Sequence, residues 1–564
     1  MHPVKLPVSE SFVPKSVLAL RDYSAAKFVA DLIAGLTVGL VALPLAMAFA
    51  ISSGVQPQAG LYCAVVAGFL ISALGGSMCQ IGGPTGAFVV VVSGIIQKHG
   101  VDGLFMCTFM AGIMLVALGL TGLGSAVKFI PRPVVIGFTN GIAVLIASTQ
   151  IKDFFGLNVD KVPGEFLDRM AVLVKNFHTI SPIATALAGG TLVTILLLTR
   201  LNRRIPATIV ALFGGTLLTY FAHLSVATIE SRFGGIPQGL PTPHMPAFRA
   251  DLILPLLSPA LTVMMLGAIE SLLSAVVSDR MSGDKHNPNV ELFGQGIANI
   301  VSPLFGGLPA TGAIARTATN VRAGARTPIS GMIHAITLLL ILLFAAPLAK
   351  HIPLAVLAGI LMVVAYNMGE WREIPDILRQ SNADRAVWLI TFALTVLADL
   401  TVAVEAGMML AALLYIRQVT TTTTVAEITP DYIESGHAHS LQTNPLPEGV
   451  SGYRIHGPFL FGSTDKLDII HENLDSLGKV VMLRLRNMNA IDATGLKALE
   501  ELADALHKTG RELILCGARS QPAELMKQAE FHQHVGEENI CPHLTAAVAR
   551  AQVILEANAP NVSP

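Results

Sequence analysis

Gly82-Gly83-Pro84-Thr85-Gly86-Ala87 opens a short apolar stretch, and Gly306-Gly307-Leu308-Pro309-Ala310-Thr311-Gly312-Ala313 opens another in the second half of the apolar body. Each stretch is too short to cross a bilayer alone, since a spanning helix needs about 20 apolar residues. Two interrupted helices at corresponding places in two halves are the mark of an internally repeated transporter with its binding site at the membrane midplane. The chemistry follows from the backbone. The first turn of a helix leaves N–H groups unpaired and carries roughly half a positive charge, which suits an anion. Gly-Gly and Thr-Gly pairs also serve plain close packing of membrane helices. Their recurrence at matched positions favours a site built from Thr85, Gly86, Ala87, Thr311, Gly312 and Ala313.

Composition supports a membrane body. Of 564 residues, 52% are hydrophobic and 13% charged, about half the charged fraction of an ordinary soluble domain. The deficit is uneven, because roughly 26 of the charged residues lie from Glu448 onward, in about a fifth of the chain. Plausible spans begin near Val29, Leu61, Leu104, Val134, Ile183, Ile205, Leu256, Val290, Ile329, Leu354, Ala386 and Thr401. With the two short segments these make fourteen elements. Residues 1–27 mix charges with prolines and read as a cytoplasmic segment rather than a cleavable signal. Residues 28–418 form the membrane domain.

Orientation follows from Lys and Arg in short loops. A path starting inside places Lys15/Arg21/Lys27, Lys128/Arg132, Arg200/Arg203/Arg204, Arg280/Lys285, Arg322/Arg326, Arg372/Arg379/Arg385 and Arg417 all on the cytoplasmic side. The loop from Ser52 to Pro57, without a basic residue, falls outside. Both termini are then cytoplasmic.

Residues 419–447, with five threonines from Thr420 to Thr424, read as a linker. Residues 448–556 form a soluble domain, and 557–564 a tail. Within that domain Val481 to Leu485 alternates as a strand. Thr494 is placed to cap a helix with Leu496, Leu499, Ala503 and Leu506 on one face, ended by Gly510, and Glu512 to Ala518 forms a further strand. Strand, helix, strand defines a small α/β fold.

Two charged residues inside spans carry the remaining chemistry. Glu270 is the only charged side chain between Asp251 and Asp279. A carboxylate at that depth costs several kcal/mol unless paired, hydrated or protonated. It can carry a proton, or with Ser274 one turn on the same face it can help coordinate Na⁺ through oxygen ligands; an interhelical hydrogen bond is the plain alternative. Arg316 lies four residues past Gly312, where it can hold an anion directly, add positive field, or pair with Glu270 or a carbonyl. Asp399 and Glu405 read as a polar turn between the last two spans. His99, His244, His286, His334 and His351 show no ligand spacing. The five cysteines (Cys63, Cys79, Cys107, Cys516, Cys541) have no CxxC spacing, so neither a metal site nor a disulfide framework is expected. A net charge of −1 gives no electrostatic footprint for nucleic acid. No nucleophile, base and orienting group stand at a catalytic spacing, so an enzyme is not expected.

The run from Asp31 to Tyr62 (DLIAGLTVGLVALPLAMAFAISSGVQPQAGLY) resembles the first-helix signature of the sulfate permease family, SulP or solute carrier family 26. Gly82 to Gly86, Gly267 to Ala275 (GAIESLLSA) and Gly306 to Gly331 match further family segments in order, and the C-terminal domain resembles a STAS domain. The resemblance implies seven-plus-seven inverted repeats forming core and gate domains, an elevator-like motion and frequent homodimerisation. By the same resemblance Glu270 matches the coupling carboxylate of bacterial members, Arg316 the arginine beside the anion, and Thr494 a position phosphorylated in STAS-fold antagonists. Leu45 follows Pro44 where many animal and plant members have Gln, so their substrates do not transfer. Gly39–Ala50 and Gly267–Ala275 look most like a proteobacterial branch that includes a C4-dicarboxylate transporter.

The expectation is an H⁺-coupled importer of a small oxyanion (sulfate, bicarbonate, or a C4-dicarboxylate such as succinate or fumarate) in a bacterial inner membrane, needing no cofactor beyond its coupling ion. A Na⁺-coupled bicarbonate symporter is the nearest alternative. A sensor signalling through the STAS domain to a cytoplasmic partner is the alternative of another class. A nucleobase carrier would carry an acid where Arg316 stands.

Overall fold

The computed structural model describes residues 12–124, 131–159, 162–202, 206–236, 239, 242–243, 249–398, 400–428 and 446–557. Lys128, Arg203, Arg204, His244 and Asp399 lie outside the described residues, as does most of the expected linker and tail. Two compact units divide between Met409 and Leu410.

The first unit is helical. Its main helices are α1 (Ala25–Ser52), α2 (Pro57–Leu74), α3 (Phe88–Leu120), α4 (Arg132–Phe155), α5 (Phe166–Lys175), α6 (Pro182–Leu201) and α7 (Ala207–Phe221). The second set is α8 (Ile253–Ser282), α9 (Pro288–Val301), α10 (Ile314–Arg322), α11 (Ile329–Phe344), α12 (Leu354–Met368), α13 (Asn382–Leu397) and α14 (Leu400–Thr422), the residues of α14 from Leu410 on being counted in the second unit. Seven of the described helical segments have the length and composition to cross a bilayer alone. Gly100, at φ +74, interrupts α3, a conformation that glycine takes without Cβ strain. So α3 is a short helix followed by a full one. With that break, and leaving out the short amphipathic α5, fourteen elements result. Their starts lie within a few residues of those expected, because most are fixed by a proline, a capping polar group or a glycine. Ser24, for example, caps α1 by accepting from Lys27 N at 3.3 Å.

The third element of each half is the broken one. Gly82–Gly83 (β1) precedes the first short helix and Thr311–Gly312 (β2) precedes α10. The two strands pair antiparallel, Gly82 opposite Gly312 and Gly83 opposite Thr311. Helix packing then sorts the unit into two bundles. Helices α1, α2, α3 and α8 to α11 pack on one another as the core, and α4, α6, α7, α12 and α13 as the gate. Glycines set the core crossings: Gly35 and Gly39 of α1 lie against Ser330, Ile333 and Thr337 of α11. Leu45 is buried in an apolar cluster shared by α1, α2, α6, α7 and α12.

Lys15 pairs with Asp284 at 2.9 Å, joining the N-terminal segment to the α8–α9 loop. Glu405 is exposed on the second turn of α14 rather than at its start.

The second unit holds a five-stranded sheet in the order β3-β4-β5-β6-β7, with β3 (Thr424–Glu427) antiparallel and β4 (Val450–His456), β5 (Val480–Asn487), β6 (Glu512–Cys516) and β7 (Ile540–Cys541) parallel. Leu496, Leu499, Leu502, Ala503 and Leu506 of α15 (Ala493–Lys508) are buried against one sheet face. Ala547, Ala551 and Ile554 of α16 (Leu544–Ala557) cover the other. Two details differ from the sequence reading. Ordered structure continues into the stretch expected to be linker, because Thr420 to Thr422 bond back to carbonyls three or four residues earlier and prolong α14. And Asp492, not Thr494, caps α15: its carboxylate accepts Gly495 N at 2.8 Å and Phe461 N at 3.0 Å. Thr494 is left exposed on the first turn. Gly510, at φ +71, makes the turn after α15 as expected.

Candidate functional site

The pairing of β1 with β2 brings the two short helices together at their starts. The first begins at Phe88 after Ala87, and the second at Ile314 after Ala313. Their positive ends therefore converge in the core.

Hydroxyl groups of α8 fix the second approach. Gly312 N donates to Ser271 Oγ at 3.1 Å, Ser271 Oγ lies 2.8 Å from Thr311 Oγ1, and Thr311 Oγ1 donates to Gly267 O at 3.0 Å. A hydroxyl has one proton to give, so the chain runs Gly312, Ser271, Thr311, Gly267. Ala313 N donates to Ile81 O at 2.8 Å. The amides of Gly312 and Ala313, expected to face an anion, are thus occupied in holding β2 in place. On the other side the amides of Gly86 and Ala87 have no partner among the described residues. The first-turn amides of α10, from Ile314 on, lack intrahelical acceptors by construction.

Thr85 and Glu270 come together: Thr85 Oγ1 donates to Glu270 Oε2 at 2.8 Å. Glu270 is half-buried as a residue, and Thr85 and Arg316 are 7% and 2% exposed. Arg316 donates through one Nη to Pro84 O, and its other Nη is buried with no partner. It makes no ion pair with Glu270. A cation with an unused donor, a carboxylate and free amides therefore share one corner of the core.

Ser274 is not part of that corner. Its hydroxyl lies 2.9 Å from Thr317 Oγ1, which accepts Ile81 N at 3.0 Å, so Ser274 braces α8 against α10 and β1. The α8 residue beside β2 is Ser271, three positions earlier. Sequence reasoning also missed Asn299, which binds both N and O of Ala310 at 2.8 Å, and Gln80, which donates to Ser271 O at 3.1 Å. Buried amides facing a helix break would have been the available signal.

The corner faces the gate. A Cβ on Gly86 would meet Ile146 of α4, Met368 at the end of α12 and Phe49 of α1. Among the described residues no cluster of His, Cys, Asp and Glu is arranged to hold a metal. A separate groove of about 770 Å³ runs between gate helices and includes none of these residues.

A membrane body of seven plus seven elements, each half broken at its third helix, with a C-terminal α/β domain, defines a polytopic transporter-type fold. The chain belongs to the sulfate permease family, whose model matches residues 28–391, and a STAS domain model matches residues 444–547. It is 43% identical over 531 residues to the putative sulfate transporter YvdB of Bacillus subtilis, covering 93% of this chain and 98% of that one. It is 32% identical over 548 residues to the bicarbonate transporter BicA of a Synechocystis species, covering 95% and 96%. Among solved structures, the transmembrane domain of a cyanobacterial BicA superposes with a TM-score of 0.61 at 34% identity, covering 69% of this chain and 98% of that one. A structure of SLC26A9 superposes with 0.84 at 17% identity, covering 97% and 93%, which speaks for the fold alone. The matched proteins are transporters, not enzymes.

Proposed function

We propose that the protein is a secondary active transporter that carries a small oxyanion across a bacterial inner membrane in symport with a cation. The observation that carries this reading is the buried Arg316 with an unused donor, set beside the free amides of Gly86 and Ala87 and the half-buried Glu270. An oxyanion between them accepts from the guanidinium and the amides. Sulfate, bicarbonate and a C4-dicarboxylate share the chemistry needed, and relatives named for sulfate and bicarbonate support the first two.

Glu270 carries the coupling proton in this reading. Protonating it removes a negative charge beside the anion, so proton and anion favour each other's binding. The core moves against the gate in an elevator-like step, with Thr85, Gly86 and Arg316 travelling as one body. The protein acts as a homodimer with both termini cytoplasmic. Exposed Thr494 on the STAS domain is the site through which phosphorylation or a cytoplasmic partner sets the rate.

The test is uptake of labelled sulfate, bicarbonate and succinate into proteoliposomes, with and without imposed proton or Na⁺ gradients. Proton-stimulated uptake of one anion supports the reading, and stimulation by Na⁺ alone replaces the coupling ion. No uptake of any of the three by folded protein removes the reading in favour of a sensor working through the STAS domain.

A further inference from the structure

The groove of about 770 Å³ lies between α4, α6 and α12 of the gate, with residues of α5 and Trp371 also in its lining. Its walls are apolar, with Ala147, Leu196 and Met362 along its length, and Leu196 is 48% exposed at its open side. These are membrane-spanning helices, so the open side faces acyl chains. Water filling the groove would find almost no hydrogen-bond partner.

Part of the lining differs in chemistry. Arg200, in the last turn of α6, belongs to it, and no acid pairs with Arg200 among the described residues. Tyr366 and Trp371 also line the groove, the indole N–H donating to Tyr366 O at 2.8 Å. An apolar channel whose lining includes a cation without an acidic partner among the described residues, together with aromatic rings, has the polarity of a phospholipid: chain in hydrocarbon, phosphate at the cation, rings at headgroup depth. An inorganic oxyanion would find Arg200 and little else.

We propose that this groove is a binding site for an anionic phospholipid, one acyl chain lying between α4, α6 and α12 and its phosphodiester on Arg200. Such a lipid packs between gate helices, so it stiffens the bundle that the core moves against.

The chain supplies its own reporter, since its only tryptophans are Trp371 and Trp388. Trp388 stacks on Phe392 away from the groove. Full-length protein in phosphatidylcholine vesicles receives increasing fractions of dibrominated phosphatidylglycerol or dibrominated phosphatidylcholine, and tryptophan quenching is followed. W371F identifies the share of the signal from Trp371. The expected result is half-maximal quenching of Trp371 at about fivefold lower mole fraction for phosphatidylglycerol, a preference erased in R200Q. In A147F, which fills the groove, both lipids quench Trp371 less. Equal quenching by the two lipids in the native chain, or a preference surviving in R200Q, overturns the proposal. Arg200 is exposed, so R200Q tests the idea even if A147F fails to fold.

Discussion

Thr85 and Glu270 share a 2.8 Å hydrogen bond across 185 residues of sequence, the hydroxyl from the approach to the first short helix and the carboxylate from the middle of α8. The contact joins a residue of the first half to one of the second at the point where the half-helices meet.

That contact makes E270Q and T85V separable. E270Q should lose gradient-stimulated uptake while retaining anion exchange, since the amide still accepts from Thr85. T85V should keep coupling but weaken it, a hydrogen bond to a charged group being worth about 1.5–3 kcal/mol. Proteoliposome uptake under imposed gradients measures both. Gradient-stimulated uptake that survives in E270Q but is lost in T85V would show that Glu270 acts only through its bond to Thr85.

R316A should raise KM for the anion by about tenfold or more, as expected for losing a charge-assisted donor. It also leaves Pro84 O without its partner. R316K, with a point charge in place of the fork, should recover part of the affinity. Anion-dependent uptake and thermal melting together separate binding from folding.

G312A and G86A should fail differently. A Cβ on Gly312 would overlap the Gln80 amide and crowd the backbone of Ser271, so folded protein should fall sharply or its melting temperature drop. A Cβ on Gly86 would meet flexible side chains of both bundles, so G86A should fold and transport slowly. Size-exclusion profiles and uptake rates read the difference.

His334 lies fully buried on α11, and neither ring nitrogen has a hydrogen-bond partner. Replacing an unsatisfied buried polar group by an apolar one of similar size is neutral or stabilising. H334L should therefore melt at or above the native temperature. A fall of several degrees would show that the imidazole makes a stabilising contact that leucine cannot replace.

In the STAS domain, D492A should cost about 1 kcal/mol through loss of the α15 cap, whereas T494E should leave melting unchanged. The hydrogen bond from His534, at 3.1 Å, holds the exposed Asp504 carboxyl below the usual carboxylate range. A depressed carboxyl stabilises the fold above its unfolded pKa, near 4, and that small contribution should fade as pH falls below it. D504N should flatten this part of a melting-versus-pH curve.

The sequence carried the fourteen elements because apolar length, proline and glycine act locally. It also carried Glu270 and Arg316, since lone charges in apolar helices are conspicuous. What it could not carry was which polar group meets which across halves. Ser271 and Ser274 are one helical turn apart in an apolar run, and only the position of β2 decides that Ser271 meets Thr311 while Ser274 meets Thr317. The α15 cap was misplaced by two residues because Asp492 and Thr494 are both good capping types. The use of Gly312 N by Ser271 depends on a helix more than forty residues away in sequence, beyond the reach of any local pattern.

The strand pair Gly82–Gly83 with Thr311–Gly312 also has a meaning for biosynthesis. During synthesis the first short helix enters the bilayer without its partner strand, and the partner emerges only after α4 to α9 have been made. The polar backbone of Gly82 and Gly83 must wait in that interval, shielded by neighbouring helices or by the insertion machinery. The core is thus completed late, by its last third, and a nascent chain released before Gly312 has no means of closing it.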